Sequence, residues 1–445
     1  MGSEQLASIV SLGCAKNLVD SETMAAQLVR SGYSMTDLAS EASLIVVNTC
    51  GFLQSAVEEA IETILTLARF KSEGACKTLV VAGCMVQRYG KKLPKLLSEV
   101  DLFLGTSHYQ HLARVLDTLG TKDSRRVWIG RPGSEGESAT SRLLSAPAYS
   151  TYLKIADGCS NRCTYCMIPH LRGPYRSRSL KDVVREASEL VDQGTIEINI
   201  IAQDTTAFGV DLGYDSALLT LIEELESLRQ LKWVRILYTY PQRIDDRLLA
   251  IMRSSTKVVP YLDMPIQHCS SRILAAMGRS GGSEELCDKV DLIRHHLPDV
   301  SLRTSLIVGF PGETELEFQE LLDFLETTEL DHVGVFAFSP EPGARAASFP
   351  GQVEEEVRQN RRQVLLEAQQ EISRRRLARF VGRELEILIE GAHPETELLL
   401  RGRTAYQAPD VDGMVIITEG TVAQGELRKA LITDSHDYDL VARLL

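Results

Sequence analysis

The length, composition and charge of the chain limit what it can be. Its 445 residues, 44% of them hydrophobic, suffice for about three globular domains of ~150 residues each. No run approaches the ~18 consecutive apolar residues of a membrane span, and the first residues lack the basic and apolar segments of an export signal. We therefore expect a cytoplasmic protein that does not enter a membrane.

The nine cysteines and the net charge of −13 indicate how the thiols are used and what kind of partner the protein binds. In a reducing compartment, cysteines more often bind metals or carry out chemistry than form disulfides. Proteins that bind nucleic acids usually have basic surfaces, whereas the pI of this chain is near 5.3. The charge thus argues against a nucleic-acid substrate and favours a basic protein partner, although net charge does not describe local patches.

The first segment, residues 5–120, alternates short apolar runs with amphipathic helical stretches. This alternation predicts an open parallel α/β sheet. The predicted strands are 9–12, 44–47 and 79–82, and helices are predicted at 18–30 and 55–70. Ligands of such sheets collect beyond the carboxyl ends of the strands.

Three cysteines follow the predicted strands of this segment at matching places, namely Cys14, Cys50 and Cys84. A single free cysteine is most often a small buried hydrophobic residue. Three that come one to three residues after successive strands favour a shared ligand instead. Cys76, Cys269 and Cys287 show no such placement, so we expect them to be buried in the core.

A Gly-, Ser- and Glu-rich stretch then predicts a linker over residues 121–147, and the next domain, residues 148–376, begins with a predicted strand at 152–156. Cys159, Cys163 and Cys166 follow that strand. A cubane iron–sulfur cluster normally takes four cysteine thiolates, so a loop with three leaves one iron open to another ligand. Two alternatives use fewer of these thiols: part of a zinc site with His170, or a redox pair of Cys163 and Cys166.

The strand–helix alternation continues with longer units and predicts a partial (β/α)6 barrel. Further strands are predicted at 197–201, 233–238, 261–264, 302–308 and 332–338. Barrel enzymes place reacting residues at the carboxyl ends of their strands. Here those ends carry polar groups, Gln203, Asp204, Gln267 and His268 among them, and the stretch 309–313. Some of these residues, including Asp204, Glu313 and Thr314, are also suited to capping helices, and His268 is as well explained by a structural role.

After the central domain, the predicted secondary structure changes from strand–helix alternation to a single helix followed by short strands. Residues 354–377 predict one charged connecting helix. From residue 377 to 445, short alternating strands separated by glycine and proline turns predict a small antiparallel β-barrel.

Several stretches resemble the radical S-adenosylmethionine (SAM) methylthiotransferase family, and within it the RimO-type branch that modifies a ribosomal protein aspartate. These stretches are SLGCAKNLVD at 11–20, the C-x3-C-x2-C loop at 159–166, QDTT at 203–206, DMPIQH at 263–268 and RTSLIVGFPGET at 303–314. The resemblance covers nearly the whole chain, and its last domain is similar to the TRAM type.

The resemblance implies the chemistry and the cofactors, SAM and two 4Fe–4S clusters. Cys14, Cys50 and Cys84 would bind an auxiliary cluster, and Cys159, Cys163 and Cys166 the cluster that binds SAM. A SAM-derived radical would remove hydrogen from the β-carbon of an aspartate in small-subunit ribosomal protein number twelve, which would receive a methylthio group from the auxiliary cluster. An electron donor, flavodoxin-like by analogy, and a sulfur source are also implied. We further predict that Gln203, Asp204 and Arg303 contact SAM.

The charge of the last domain helps to choose between the remaining alternatives. Residues 377–445 contain 12 acidic and 7 basic residues, a net charge of −5. Such a domain should attract a basic ribosomal protein and repel RNA. A tRNA adenosine methylthiotransferase is therefore the less favoured alternative. A non-catalytic iron–sulfur or zinc module is less favoured still, because a barrel of this size is more scaffold than a carrier needs.

Overall fold

The first domain is built on a six-stranded sheet in which every strand pair is parallel. The computed structural model describes residues 5–122, 124–133, 141–145 and 147–445. The strand order is β2-β1-β3-β4-β5-β6. The elements are β1 (Gln5–Ser11), α1 (Ala15–Arg30), β2 (Tyr33–Met35), β3 (Leu44–Thr49), α2 (Gln54–Ala68), α3 (Phe70–Glu73), β4 (Thr78–Gly83), α4 (Cys84–Tyr89), α5 (Leu93–Leu96), β5 (Leu102–Leu104), α6 (Leu112–Leu116) and β6 (Val127–Trp128).

Helices cover both faces of this sheet. Strand β3 is buried throughout, as expected for a parallel strand with helices on both sides. On one face its Ile45 packs in a core with Ile64 of α2, and on the other its Val46 packs with Met24 of α1. The predicted open α/β sheet is therefore confirmed.

The predicted linker is only partly described. Residues 123, 134–140 and 146 lie outside the described residues. Within the stretch predicted as linker, Val127–Trp128 forms β6, which pairs with β5 and extends the first sheet. At least this part of the predicted linker therefore packs as an edge strand of the first sheet.

The central domain is an open six-stranded parallel sheet of order β7-β10-β11-β12-β13-β14, which agrees with a partial barrel. Its elements are β7 (Ser150–Lys154), β8 (Ala156–Asp157), α7 (Ile168–Arg172), β9 (Arg176–Ser177), α8 (Leu180–Asp192), β10 (Glu197–Ile201), α9 (Ala217–Glu226), β11 (Trp233–Ile236), α10 (Asp246–Ser254), β12 (Val258–Asp263), α11 (Ser271–Met277), α12 (Ser283–His296), β13 (Ser301–Val308), α13 (Glu315–Thr328), β14 (His332–Ala337) and α14 (Glu355–Ala378). The first predicted strand is divided, because β8 pairs with β9 in a separate antiparallel ribbon.

The last domain is a closed five-stranded barrel, as predicted. Its strands are β15 (Glu384–His393), β16 (Thr396–Thr404), β17 (Val415–Glu419), β18 (Leu427–Ser435) and β19 (Leu440–Leu444), in the order β15-β16-β17-β19-β18. Four pairs are antiparallel, but β17 and β19 run parallel. The parallel pair closes the barrel, so the expectation of a purely antiparallel barrel needs this correction.

The barrel does not stand apart from the central domain. Its loop between β16 and β17 reaches onto the central sheet, where Tyr261 donates a hydrogen bond to Asp412 Oδ2 at 2.7 Å and Tyr152 donates one to Asp410 Oδ2 at 2.9 Å. Ala408 of the same loop packs in a core with Tyr261. Among the helices of the described residues, none is both long and apolar enough to cross a membrane.

Candidate iron–sulfur and SAM site

Three cysteines of the first domain meet at one edge of its sheet. Strands β1, β3 and β4 are neighbours, so Cys14, Cys50 and Cys84, which follow these strands, lie at the same carboxyl edge. The loops that carry them are in contact: a Cβ at Gly13 would lie 2.8 Å from Cys50 Cβ, and one at Gly51 would lie 2.7 Å from the carbonyl carbon of Cys84. We call these three residues the auxiliary trio.

The loop that carries Cys159, Cys163 and Cys166, the SAM trio, is held by backbone hydrogen bonds. The amide of Cys159 donates to the carbonyl of Gly173 at 3.0 Å, and the amide of Thr164 donates to that of Met277 at 2.9 Å. The amide of Ile168 points at Cys166 Sγ at 3.5 Å. The loop is therefore shaped by the chain itself.

Both trios line a single cavity of about 380 Å³, which we call the cysteine cavity. The two domains thus present their cysteines to one shared space. A larger cavity of about 760 Å³, the outer cavity, borders it. The two cavities share the lining residues Cys14, Phe52, Tyr165, Tyr238, Pro265 and Gln267.

A buried ion network sets the position of the first domain against the central one. Arg172 donates hydrogen bonds to Asn17 Oδ1 at 2.6 Å and to Asp20 Oδ2 at 2.8 Å, and its other nitrogen lies 3.2 Å from Asp157 Oδ1. Lys154 donates to the second oxygen of Asp20 at 2.8 Å. All five residues are buried. Since an unpaired buried charge is costly, this network opposes any displacement of one trio from the other.

Burial governs the ionisation of groups around the cavity. It raises the pKa of the Cys84 and Cys166 thiols, each to about 12, so both are protonated at neutral pH when no metal is bound. Metal binding must displace these protons. Burial also lowers the pKa of Lys16 to about 8, although the nearby Cys14 opposes this shift.

The three predicted SAM contacts fall in two places. Gln203 and Asp204 line the cysteine cavity, whereas Arg303 lines the outer cavity. Gln203 donates to Asp157 Oδ1 at 3.1 Å, and its Oε1 is buried without a hydrogen-bond partner in the described structure. Arg303 lies between Asp263, at 3.1 Å, and Asp412, at 3.5 Å.

For Thr314, Asp204 and His268, the sequence left open whether the side chain caps a helix, has a structural role or belongs to the site. Thr314 caps α13 together with Glu317, as its type suggested. The carboxylate of Asp204 caps no helix but accepts a hydrogen bond from Asn161 at 3.0 Å and pairs with Arg243. His268 Nδ1 accepts hydrogen bonds from the backbone amides of Cys269 and Ser270 at 3.0 Å, as a structural histidine would.

The remaining cysteines are mostly buried, as expected. Cys76 and Cys269 lie within apolar cores, and Cys287 is half-buried against one. Among the described residues, no three Cys, His, Asp or Glu side chains are arranged to hold one metal ion. A four-iron cluster binds each thiolate through a different iron, so its cysteines stand further apart than the ligands of a single ion.

Two residues of the cavity have strained backbones that the sequence did not reveal. Tyr238 has a φ of 60° and Gln267 a φ of 72°, although neither is a glycine. Both line the cysteine cavity, at the carboxyl side of β11 and β12. Such conformations cost about 1–3 kcal/mol each and persist where the surrounding structure imposes them. The sequence placed Gln267 at the end of a strand, but nothing in it marks either backbone as strained.

Comparison with known proteins matches each domain to a family. Residues 7–105 match the uncharacterized protein family UPF0004, residues 153–325 the radical SAM superfamily and residues 381–445 the TRAM domain. The ribosomal protein uS12 methylthiotransferase RimO of Syntrophobacter fumaroxidans is 57% identical over 439 residues, which is 99% of this chain and 98% of that protein. The chain belongs to this methylthiotransferase family. The protein of the same name from Geobacter sulfurreducens is 46% identical over 98% of both chains.

Solved structures share the fold. The radical SAM methyltransferase TsrM of Kitasatospora setae, bound to cobalamin and a [4Fe-4S] cluster, has a TM-score of 0.57 at 15% identity and covers 75% of each chain. The cobalamin-dependent radical SAM enzyme OxsB has a TM-score of 0.52 at 12% identity, over 83% of this chain and 56% of that one. At such identities the likeness concerns the fold.

Proposed function

We propose that this protein transfers a methylthio group to the β-carbon of an aspartate in ribosomal protein uS12. The observation that carries the proposal is the shared cavity, because two cysteine trios from two domains face one space. A carbon placed there can be reached from both sides. Membership of the uS12 methylthiotransferase family identifies the substrate.

The residues around the cavity fit the cofactors of this reaction. The auxiliary trio and the SAM trio would each hold one 4Fe–4S cluster, with one iron of each left without a cysteine. When bound, the clusters and SAM supply the reducing electron, the radical chemistry and the methylthio group. The buried, unpartnered Oε1 of Gln203 would accept a hydrogen bond from SAM, and Asp204 would lie beside it.

The chain itself excludes water and orients the reactants. Phe52, Tyr165, Ile168, Leu171 and Tyr238 form much of the cavity wall. Such apolar walls protect a reactive radical from side reactions, and the buried ion network keeps both trios at a fixed separation. Arg303, held between two carboxylates outside the cysteine cavity, would shape the outer cavity rather than touch SAM directly.

The substrate is basic, and the last domain would provide part of its docking surface. Several acidic residues of that domain are engaged within the protein: Asp437 pairs with Arg374, and Asp412 with Arg303. Exposed carboxylates remain at Glu384, Glu386, Glu395, Glu397, Glu419 and Asp434. These groups would attract a basic protein and repel tRNA. We further propose a cytoplasmic location, a flavodoxin-like electron donor and a separate sulfur source.

Mass spectrometry of candidate substrates tests this function. The anaerobically reconstituted protein is incubated with SAM, a reductant, and either a uS12 peptide that contains the target aspartate or tRNA. We expect the peptide to gain the mass of one methylthio group and the tRNA to stay unchanged. Modified tRNA beside an unmodified peptide would contradict the proposal. Cys84→Ala serves as the control, because it removes an auxiliary ligand and leaves the SAM trio complete.

A further inference from the structure

Lys16 places an unpaired cation inside the cysteine cavity. It lies in the first turn of α1, two residues after Cys14, and its side chain lines the cavity although the residue is only 6% exposed. Its ammonium lies 3.0 Å from the centre of the Tyr238 ring. In the described part of the chain, it makes no hydrogen bond and no ion pair. A buried ammonium without an anion in direct contact is an unusual arrangement, because burial of a charge is costly.

The other cations of the cavity are engaged. Arg172 is held by Asp20 and Asp157. Arg279 donates a hydrogen bond to the carbonyl of Pro265 at 2.7 Å and lies over the Tyr240 ring, 4.4 Å from its centre. Lys16 therefore differs from both arginines, since its ammonium contacts an aromatic face but forms neither a hydrogen bond nor an ion pair within the described residues.

The chemistry of the substrate supplies an anion that could contact this ammonium directly. The reacting β-carbon of an aspartate is bonded directly to its carboxylate, so the carboxylate must enter the cavity together with that carbon. A carboxylate that leaves water needs a cation or several hydrogen-bond donors. Because the methylthio group comes from the side of the auxiliary trio, that cation should lie next to this trio, where Lys16 follows Cys14.

We propose that Lys16 binds the carboxylate of the substrate aspartate and so selects aspartate over asparagine. This inference rests on the proposed function. The Tyr238 ring holds the ammonium in place before the substrate arrives, through a cation–π contact. The backbone of Tyr238 is fixed in its left-handed conformation by two hydrogen bonds, from its amide to Asp263 Oδ2 at 3.0 Å and from the amide of Thr205 to its carbonyl at 3.0 Å.

Peptide binding under conditions without turnover tests the proposal. Two fluorescent uS12 peptides, with the target aspartate or with asparagine in its place, are titrated into the holoenzyme without reductant, and affinity is read from fluorescence anisotropy. A charge-assisted contact predicts that the wild-type protein binds the aspartate peptide about 10- to 100-fold more tightly. Lys16→Met, which keeps the length of the side chain, should bring the ratio of the two affinities close to one.

Two further variants separate the lost charge from damage to the fold. Lys16→Arg keeps the charge and should retain a preference for the aspartate peptide. Lys181→Met removes a charge from an exposed helix start and should leave the ratio unchanged. Iron content is measured for each form. If Lys16→Met does not take up iron, the ratio of the two affinities is compared between the wild-type and Lys16→Arg proteins alone.

The outcomes are distinct. A wild-type protein without a preference for aspartate, or a Lys16→Met protein that keeps the full preference, overturns the proposal. If the wild-type protein instead cleaves SAM but never modifies the aspartate peptide, the proposed function fails, and the assignment of Lys16 fails with it. Methylthiolation of the peptide without any aspartate preference would defeat the Lys16 proposal alone.

Discussion

At the scale of single residues, six cysteines from two domains line one cavity, and Arg172 and Lys154 of the central domain both bind Asp20 of the first. Cys14, Cys50 and Cys84 could be grouped because parallel strands end at a common edge. Lys16 belongs to a stretch that was recognised, yet nothing in its pattern revealed an unpaired ammonium. Arg172 gave no signal, since its partner Asp20 belongs to the first domain, 152 positions away, and meets it only after the two domains pack.

Each cysteine substitution should remove the iron of one trio and leave the iron of the other in place. Two four-iron clusters amount to about eight irons in the reconstituted protein. Cys84→Ala and Cys163→Ala should each reduce this to about four, because each removes a ligand from one trio only. Iron and acid-labile sulfide analysis measures the effect. Cys287→Ala is the matched control, and a loss of iron in that variant would contradict the assignment of the trios.

At the scale of elements, most strands were predictable from alternation, but their contacts across domains were not. The strand Glu197–Ile201 has the predicted bounds. The parallel pair β17–β19 and the insertion of the β16–β17 loop onto the central sheet depend on three-dimensional packing that no local pattern encodes. Gly158, with a φ of 75°, turns the chain into the SAM trio.

Gly158→Ala should disrupt the loop of the SAM trio. Gly158 has a φ of 75°, and a Cβ there would lie 2.1 Å from the carbonyl oxygen of Pro174. We expect the variant to lose about four of its eight irons, because only the neighbouring trio depends on this turn. Gly194→Ala is the control for backbone strain alone: its φ is 102°, with no atom within 4 Å of the added Cβ. Equal iron loss in both variants would contradict a local clash.

The contact between β10 and β16 should weaken in acid. Burial raises the pKa of Glu197, but the charges and hydrogen bonds of Arg403, and the charge of Arg235, outweigh it and lower the pKa to about 2. A pKa below the unfolded value means that the stabilisation is complete above pH about 4.5 and is lost as the pH falls towards 2.

Chemical unfolding of the wild-type and Glu197→Gln proteins checks this prediction. Above pH 4.5, the variant should be less stable by about 3–5 kcal/mol, because Arg403 and Arg235 lose their buried partner. The difference in unfolding free energy should shrink as the pH falls from about 4.5 towards 2. A difference that stays constant over this range would show that the carboxylate charge does not matter.

At the scale of the whole molecule, the order and type of the three domains could be read from the sequence. Their mutual arrangement could not, because it depends on buried ion pairs between side chains that are far apart in the chain. A second interdomain contact joins Arg88 of the first domain to Glu341 of the central one, at 2.8 Å. The facing position of the trios is thus a property of the assembled chain.

Arg172→Met should loosen the arrangement of the first two domains. Asp20 and Asp157 would lose a buried partner, so we expect the free energy of unfolding to fall by about 3–5 kcal/mol. Chemical denaturation measures this effect. In the control Arg185→Met, an exposed pair with Asp182 is lost, and the expected change is below about 1 kcal/mol. Comparable effects of the two substitutions would contradict the role of the buried network.

Iron anomalous diffraction from crystals of the anaerobically reconstituted protein tests most directly whether two clusters face one cavity. We expect two four-iron clusters, one at Cys14, Cys50 and Cys84 and one at Cys159, Cys163 and Cys166, each with an open iron directed into the cysteine cavity. A single cluster, clusters directed to separate solvent regions, or zinc in place of iron at the SAM trio would contradict this arrangement.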